Sequence, residues 1–283
     1  MNTRLIVDST CDLPSEILKK YDISVIPIRI YDEKDNEYLD GISIKSNELL
    51  EKMKNGEQFT SSLPSYDAIY NTFLANCEAA DHCIYLSCSS ELSGTYNFAK
   101  IVKSDLIEKF PHYNIEVIDT KSISLGAGIL ALYVLDKIES STPFEIILEM
   151  IEDKIHNIQH IFTIEDLQYL IRGGRVGKFA GFLGGMLNIN PIMEINEGKF
   201  KPLEKVRGRK KALNRLLELM VQRFGEENEY IGIVLGEEQE ATKEVIDHIS
   251  NEFKNQKIVI NTVGSAVGVH AGPGAFGVFF LTK

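Results

Sequence analysis

The feature that most constrains the fold is a regular alternation of short apolar runs with amphipathic segments in the first half of the chain. The apolar runs Leu5–Asp8, Cys83–Ser87 and Ile115–Asp119 have the length of strands, and Thr95–Phe110 has apolar residues at helical spacing. A strand, a helix and a second strand give parallel pairing, because the helix returns the chain to the same end of the sheet. The sequence therefore predicts an α/β fold with an N-terminal, Rossmann-like, mostly parallel sheet that has helices on both faces.

The pattern changes near residue 160. Asn190–Ile195 and Lys199–Val206 predict a β-hairpin with Gly198 in its turn, and the strands and helices that follow do not alternate regularly. We therefore expect two domains, residues 1–160 and residues 161–283, the second of α+β or α/β type.

Composition and charge exclude several functional classes. Hydrophobic residues make up 44% of the 283, which is enough for a core and excludes a disordered chain. The formal net charge of −11 argues against non-specific nucleic-acid binding, which requires a basic face. No signal peptide is visible and the four cysteines form no CxxC pair, so we expect reduced thiols, a cytoplasmic protein and no metal site.

One uncharged stretch, the 25 residues between Lys257 and Lys283, is long enough to cross a bilayer. Its glycines and Pro273 interrupt it, so we interpret it as a buried strand, a glycine-rich turn and a final buried strand, with no integral membrane segment. His270 lies in that turn, within Gly268-x-His270-x-Gly272-Pro273-Gly274. Such a histidine either faces a ligand or forms a local hydrogen bond in a tight connection.

Three loops are rich in hydroxyl and carboxyl side chains: Asp8-Ser9-Thr10-x-Asp12, Thr60–Ser65 and Ser87–Thr95. Open α/β sheets bind ligands at the carboxyl ends of their strands. Gly94 stands just before a helix, whose first N–H groups are free to bind an anion. Helix capping explains any one of these loops equally well, but two hydroxyl-rich loops in one half of the chain favour an anion site.

Two segments of the second half carry glycines or positive charge. Arg172–Lys178 suits either a phosphate cradle or a flexible lid, and it is not a P-loop because Phe179 follows Lys178. Phe179–Leu187 is predicted to be helical. Lys199–Arg215 holds eight Lys or Arg and one Glu, and it fits either a solvated face or a docking surface for an anionic partner.

Taken together, these segments resemble the DegV family of bacterial fatty-acid-binding proteins. Five motifs in the family's order, spread over nearly the whole chain, carry the resemblance: Asp8-Ser9-Thr10-x-Asp12-Leu13, Ser61-Ser62-Leu63-Pro64-Ser65, Ser90-x-Leu92-Ser93-Gly94-Thr95, Leu170-x-x-Gly173-Gly174-Arg175 and His270-x-Gly272-Pro273-Gly274. No single motif is specific, but the ordered set is. Leu63 departs from the family, which often has Gln there, and Ser61 replaces a common Thr while keeping the hydroxyl.

The resemblance implies a protein that holds one long-chain fatty acid, of about C14–C18, in a tunnel between its domains. The residues implied for carboxylate binding are Ser61, Ser62, Ser93, Gly94, Thr95 and His270, with Asp8, Ser9, Thr10 and Arg175 behind them. The glycine-rich Gly181–Gly185 and Gly264–Gly268 would leave room for the tunnel wall. No cofactor, no metal and no catalysis by this chain are implied.

The resemblance also implies a partner. A separate ATP-dependent fatty acid kinase would phosphorylate the bound carboxylate, and this chain would carry the acyl phosphate toward phospholipid metabolism. The basic segment would dock the kinase, with Arg207, Arg209 and Lys210 as the candidate contacts. The chain would exchange its ligand either through a transient membrane contact or without one.

Two other functions fit the residues. Ser93 and His270 would serve an acyl hydrolase or transferase, but the chain has no GxSxG elbow and no evident acid to orient the histidine. A regulatory or scaffold protein would need neither residue. A fatty acid bound to the protein as it comes from cells would favour the carrier over both.

Overall fold

The computed structural model describes residues 2–175, 189–225 and 228–282. Its strands are β1 (Thr3–Asp8), β2 (Ser24–Ile26), β3 (Arg29–Asp32), β4 (Glu37–Leu39), β5 (Phe59–Ser62), β6 (His82–Ser87), β7 (Ile115–Asp119), β8 (Ile158–Thr163), β9 (Ile189–Asn196), β10 (Lys199–Arg207), β11 (Tyr230–Leu235), β12 (Lys257–Thr262) and β13 (Phe276–Leu281). Its α-helices are α1 (Ser15–Lys20), α2 (Ser46–Lys54), α3 (Tyr66–Ala79), α4 (Thr95–Lys109), α5 (Leu125–Glu139), α6 (Phe144–Asn157), α7 (Gln168–Arg172), α8 (Arg209–Arg223), α9 (Glu240–Glu252) and α10 (Ser265–Ala271). The strands and the helix predicted from the alternation are confirmed to within two residues.

The first sheet is parallel throughout, in the order β2-β1-β6-β7. On one face Ile6 of β1 packs with Ile69 and Phe73 of α3, in the same cluster as residues of α4. Leu5 and Val7 point to the opposite face, because neighbouring side chains of a strand alternate, and they pack in the cluster that contains α5. Burial of both faces explains why β1 is a continuous apolar run.

The second sheet is mixed and runs β10-β9-β8-β13-β11-β12. β9 and β10 form the predicted hairpin, with Glu197 and Gly198 in its turn at φ angles of 49° and 80°. The turn rests on the first half of the chain, since Ser89 Oγ donates a hydrogen bond of 2.8 Å to the Gly198 carbonyl. The chain passes from one sheet to the other between β7 and β8, and the domain boundary at residue 160 stays a prediction.

Helix α5 lies between the two sheets. Every residue from Leu125 to Leu135 is buried. The helix contacts β1 and β6 of the parallel sheet and β11 and β13 of the mixed sheet. A helix that is apolar on all sides belongs in the interior, since none of its faces gains from water. α5 therefore joins the two halves through one shared core.

A third sheet, β4-β3-β5, is antiparallel and corrects the prediction that Thr60–Ser65 is a loop. β5 places Ser61 opposite Ile30 and Ser62 opposite Arg29. Its run of hydroxyl residues has no apolar alternation, so the usual strand signal is missing. The two serines are thus held by a strand rather than by a loop.

The prediction of a glycine-rich turn around His270 is wrong. Ser265–Ala271 is helix α10, and His270 lies in its last turn. Gly264 and Gly268 obscure the helix in the sequence, because glycine lowers helix propensity. The strand before it is also not buried as predicted: β12 is an edge strand, and Ile260 is 42% exposed.

Within residues 2–175, 189–225 and 228–282, no helix is both long enough and apolar enough to cross a bilayer. The predicted helix at 179–187 and the predicted tunnel-wall glycines at 181–185 lie outside the described residues.

The shared position of α5 makes a prediction about stability. Ile129, fully buried in α5, should cost about 3 kcal/mol of unfolding free energy when it is changed to alanine, because the substitution leaves a cavity in the common core. Ile146→Ala on α6 is the matched control, since Ile146 is 48% exposed, and it should cost well under about 1 kcal/mol. Urea unfolding followed by circular dichroism measures both, and equal losses would contradict the shared core.

Candidate functional site

A cavity of about 270 Å³ lies where the three sheets meet. Its walls are largely apolar, with side chains from the mixed sheet and from the loop before β3, among them Ile28, Phe162, Ile195, Phe200, Phe276 and Phe279. The predicted wall segment at 264–268 contributes Ala266 and Val267 to the lining, and Val263 just before it also lines the cavity. The polar lining consists of Thr10, Ser61, Ser62, Cys88, Ser93, Ser124, Arg175 and His270. Such a cavity suits an elongated apolar molecule with a polar head.

Ser61 and His270 meet on this lining. Ser61 Oγ and His270 Nε2 are 2.7 Å apart, and His270 Nδ1 is buried without a hydrogen-bond partner. A buried N–H without an acceptor is costly, so we assign the proton to Nε2, which donates to Ser61 Oγ. The Ser61 hydroxyl hydrogen is then free to bond an acceptor in the cavity. Ser62 also lines the cavity, but the alternation of side chains along the strand points it away from His270, and it does not share this contact.

The imidazole of His270 is neutral at physiological pH. Burial, together with the smaller effect of the positive charge of Arg175, lowers its pKa to about 4. The Arg175 guanidinium lines the same cavity and donates from Nε to the Leu92 carbonyl at 3.4 Å, and from Nη1 to the carbonyl of Gly173. The sequence placed Arg175 behind the site, whereas its side chain is part of the lining.

Two glycines allow the Arg175 segment and the His270 segment to touch. A Cβ atom on Gly173 would lie 2.0 Å from His270 Nδ1, and one on Gly272 would lie 2.3 Å from the ring of Tyr169. Gly272 also has a φ of 74°, in the left-handed region that favours glycine. The two glycine motifs are therefore parts of one contact rather than two separate features.

The Ser93 loop serves both as a helix start and as cavity lining. Ser93 Oγ lies 2.8 Å from Thr95 Oγ1 and accepts from the Thr95 backbone N–H at 3.3 Å. Thr95 is fully buried and supports Ser93, while Ser93 and Gly94 line the cavity. A Cβ atom on Gly94 would be in ordinary contact with Leu63 at 3.5 Å, so packing alone does not require glycine there.

At the end of β1, Thr10 lines the cavity, whereas Asp8 and Ser9 hold the surrounding loop in place. Asp8 accepts hydrogen bonds from Tyr85 Oη at 3.1 Å, from the Cys88 N–H at 2.9 Å and from the Thr10 N–H at 3.0 Å. Burial raises the pKa of Asp8, and these hydrogen bonds oppose that rise. Ser9 Oγ accepts from the Ile28 N–H at 3.1 Å. Both interpretations of this loop therefore hold in part: Asp8 and Ser9 make hydrogen bonds within the fold, and Thr10 lines the cavity.

Sequence reasoning missed Cys88 as a lining residue. Its thiol lies beside Thr10, Ser93 and Thr95, and burial raises its pKa, so the thiol stays protonated. The signal was available, because Cys88 directly follows the end of β6, where open sheets bind ligands.

The basic candidates Arg207, Arg209 and Lys210 lie outside the cavity lining and differ in exposure. Arg207 is exposed at the end of β10, and Lys210 is exposed and ion-paired with Glu244 at 2.7 Å. The side chain of Arg209 is only 16% exposed, and its Nε lies 3.2 Å from Glu165 Oε1. Arg207 therefore offers its charge to a partner, Lys210 would have to exchange Glu244 for one, and Arg209 is mostly buried beside Glu165.

The geometry does not favour a serine hydrolase. Ser93 pairs with Thr95, whereas His270 pairs with Ser61, so the two residues of the proposed catalytic pair have different partners. No carboxylate orients the imidazole, because Nδ1 has no partner among the described residues. No group of three or more His, Cys, Asp or Glu in the described ranges could hold a metal ion.

The buried imidazole makes a prediction about pH. In the unfolded chain a histidine has a pKa of about 6.5, so between that pH and about 4 the unfolded chain binds a proton that folded His270 does not. The unfolding free energy should therefore fall as the pH drops through this window, by at most about 3 kcal/mol from His270. Urea unfolding at pH near 7 and near 4.5 measures the loss, and His270→Gln should reduce it. His160, buried with a pKa lowered to about 3, should supply part of the loss that remains. An identical loss with and without His270 would contradict the assignment.

Comparison with known proteins places this architecture in one family. The profile of the family described as "Uncharacterised protein, DegV family" matches residues 2–283. A DegV domain-containing protein from Clostridium perfringens is 35% identical over 277 residues, which cover 97% of this chain and 96% of that protein.

Solved structures match over the full length. A fatty-acid (stearic acid)-binding protein from Eubacterium ventriosum is 25% identical, with a TM-score of 0.92 and coverage of 100% of this chain and 99% of that one. The fatty acid kinase (Fak) B3 protein from Streptococcus pneumoniae, loaded with linoleic acid, is 23% identical, with a TM-score of 0.86 and 100% coverage of both chains, and shares the fold. With its family profile and its relatives matched from end to end, the chain belongs to the DegV family.

Proposed function

We propose that this chain binds one long-chain fatty acid in the cavity and presents its carboxylate to an ATP-dependent fatty acid kinase. The observation that carries the proposal is the cavity itself, which combines apolar walls with the paired Ser61 and His270. The related stearic-acid-binding protein supports the same ligand class.

The head group would be held mainly by neutral donors. A carboxylate is ionised at neutral pH, and the free hydroxyl hydrogen of Ser61 is available to it. Ser93 and the Gly94 backbone lie on the same lining, with Ser62 and Thr10 beside them. The guanidinium of Arg175 adds one positive charge. This set can hold the anion while leaving its oxygens accessible to a reaction partner.

The tail would supply most of the affinity. Each buried CH₂ group contributes about 0.8 kcal/mol, so a tail of about fifteen such groups has an upper limit near 12 kcal/mol. The aromatic walls from Phe162, Phe200, Phe276 and Phe279 provide the apolar surface. A ligand of about C14–C18 fits this division between tail and head.

Phosphoryl transfer would be carried out by the partner. A carboxylate oxygen attacks the γ-phosphorus of ATP, the bond from that phosphorus to the bridging oxygen breaks, and ADP leaves while this chain keeps the acyl phosphate. The sequence has no P-loop of its own, because Phe179 follows Lys178. The nucleotide is therefore assigned to the kinase.

The exposed basic residues Arg207 and Lys210 would meet the kinase, with Arg209 as an internal support through Glu165. The halves at 1–160 and 161–283 would each contribute one side of the ligand site.

We place the binding and transfer of the fatty acid in the cytoplasm, because all four cysteines are free and buried. A transient membrane contact would let the insoluble ligand enter.

Native mass spectrometry of the protein from cells tests the ligand. A co-purifying mass of a long-chain fatty acid is expected. If the protein is instead empty and hydrolyses acyl esters, and Ser93→Ala abolishes that activity, the carrier proposal is refuted and the chain is an acyl hydrolase.

The head-group contact makes a second prediction. Ser61→Ala should weaken binding of stearic acid about tenfold, because one hydrogen bond to the carboxylate is lost. Binding of octadecan-1-ol, which has the same tail without the charge, should change much less. Ser43→Ala is the matched control, since Ser43 Oγ also makes a hydrogen bond, to the Leu39 N–H at 2.7 Å, outside the cavity. A variant Ser61→Ala that binds both ligands as the wild type does would refute the contact.

The proposed docking surface for the kinase makes a third prediction. Arg207→Glu should lower the rate at which the kinase phosphorylates bound fatty acid, because it reverses charge on the proposed contact, and should leave fatty acid affinity unchanged. Lys254→Glu changes charge at an exposed position in the turn before β12, the opposite edge strand of the mixed sheet, and is the control. An equal loss of kinase rate in both variants, or loss of lipid binding in Arg207→Glu, would refute the docking surface.

A further inference from the structure

Two buried carboxylates from the first half of the chain hold the start of α10. Asp40 Oδ1 accepts from the Ser265 N–H at 3.1 Å, and its Oδ2 accepts from the Ala266 N–H at 3.2 Å. Asp12 Oδ1 accepts from the Gly264 N–H at 2.9 Å. The first N–H groups of a helix have no partner within the helix, so these contacts decide where α10 begins.

Asp40 is itself fixed to the sheet that carries Ser61. It directly follows β4, and its backbone N–H donates to the Ile28 carbonyl at 2.9 Å. Within the sheet, Arg29 of β3 pairs with Leu39 on one side and with Ser62 on the other. The position of Asp40 is therefore set relative to β5 by two short ladders of backbone hydrogen bonds.

Helix α10 closes this arrangement into a ring. His270 is five residues beyond Ser265, a rise of about 7.5 Å along the helix, and its Nε2 returns to Ser61 Oγ at 2.7 Å. The ring runs from Ser61 through the small sheet to Asp40, through the start of α10 to His270, and back to Ser61. A shift at Asp40 is therefore passed to the imidazole by a short, stiff helix.

We propose that Asp40 is a positioning residue for the carboxylate site, which it serves by fixing the start of α10 so that His270 meets Ser61. The proposal rests on the proposed function for its consequence in binding, but not for the geometry. Ser9 lies beside this anchor, since its Oγ accepts at 3.1 Å from the N–H of Ile28, the residue whose carbonyl accepts from the Asp40 N–H. Both carboxylate oxygens of Asp40 accept a backbone N–H group. An asparagine there would place its NH₂ group, which only donates, opposite one of these N–H groups and so lose that hydrogen bond.

Asp40→Asn tests the proposal, with Thr242→Val as the matched control. Thr242 is fully buried and bonds through Oγ1 to the backbone of Gln239 at the start of α9, whose residues do not line the cavity. Each variant thus removes hydrogen bonds at the start of one helix, and only Asp40→Asn does so for the helix that carries His270.

The first readout needs no ligand. In protein labelled with ¹⁵N-histidine, Asp40→Asn should shift the ring nitrogen signals of His270, which are assigned by their loss in His270→Gln, while Thr242→Val leaves them in place. Ser265→Pro is a second variant in case Asp40→Asn does not fold. It removes one of the N–H groups at the first helical position, where proline is tolerated, and should shift the same signals. Unshifted His270 signals in folded Asp40→Asn or Ser265→Pro would overturn the proposal.

The second readout is binding. Asp40→Asn should raise the Kd for stearic acid about tenfold and that for octadecan-1-ol clearly less, because α10 brings His270 to the head group but contributes only the small side chains of Ala266, Val267 and Ala271 to the apolar wall. Equal weakening for acid and alcohol would overturn the proposal, since it would mean general damage to the cavity. If the wild-type protein binds neither ligand, the proposed function fails, and the His270 signals still decide the role of Asp40.

Discussion

The hydrogen bond between Ser61 and His270 joins two elements that lie 209 positions apart in the sequence, and the polar part of the cavity is organised around it. Three conditions allow it to form. Gly173 leaves room for the ring, burial keeps the imidazole neutral, and Asp40 holds the helix that carries it. Because each condition is met by a different segment, the site exists only in the complete fold.

In the proposed function, the donor set would allow an anion to be bound firmly and still react. Burying a carboxylate without partners costs several kcal/mol, so some compensation is required. Hydroxyl groups and one partly buried guanidinium, that of Arg175, can supply it without enclosing both oxygens in a bidentate clamp. The apolar walls would meanwhile retain the proposed ligand through its tail. Affinity and reactivity would thereby be assigned to opposite ends of one molecule.

Much of this could be predicted from the sequence, where the physical signal is local. The parallel sheet follows from apolar runs and helical spacing, and the hairpin follows from its strands and Gly198. β5 and α10 could not be predicted, because hydroxyl residues and glycines hide their periodicity and tertiary contacts stabilise them. The resemblance named the family and suggested Ser61, Ser93 and His270. The pairing of Ser61 with His270, the inward position of Arg175 and the role of Asp40 depend on contacts between distant segments.

Helix α5 has a consequence for how such a protein can be divided. Because its apolar surface faces both large sheets, cutting the chain near residue 160 would leave a bare hydrophobic side on the N-terminal piece and an uncovered sheet face on the other. We therefore expect the two halves to unfold together, since each covers apolar surface of the other. A cavity at such a junction would form only when both halves are folded, so binding competence would appear together with stability.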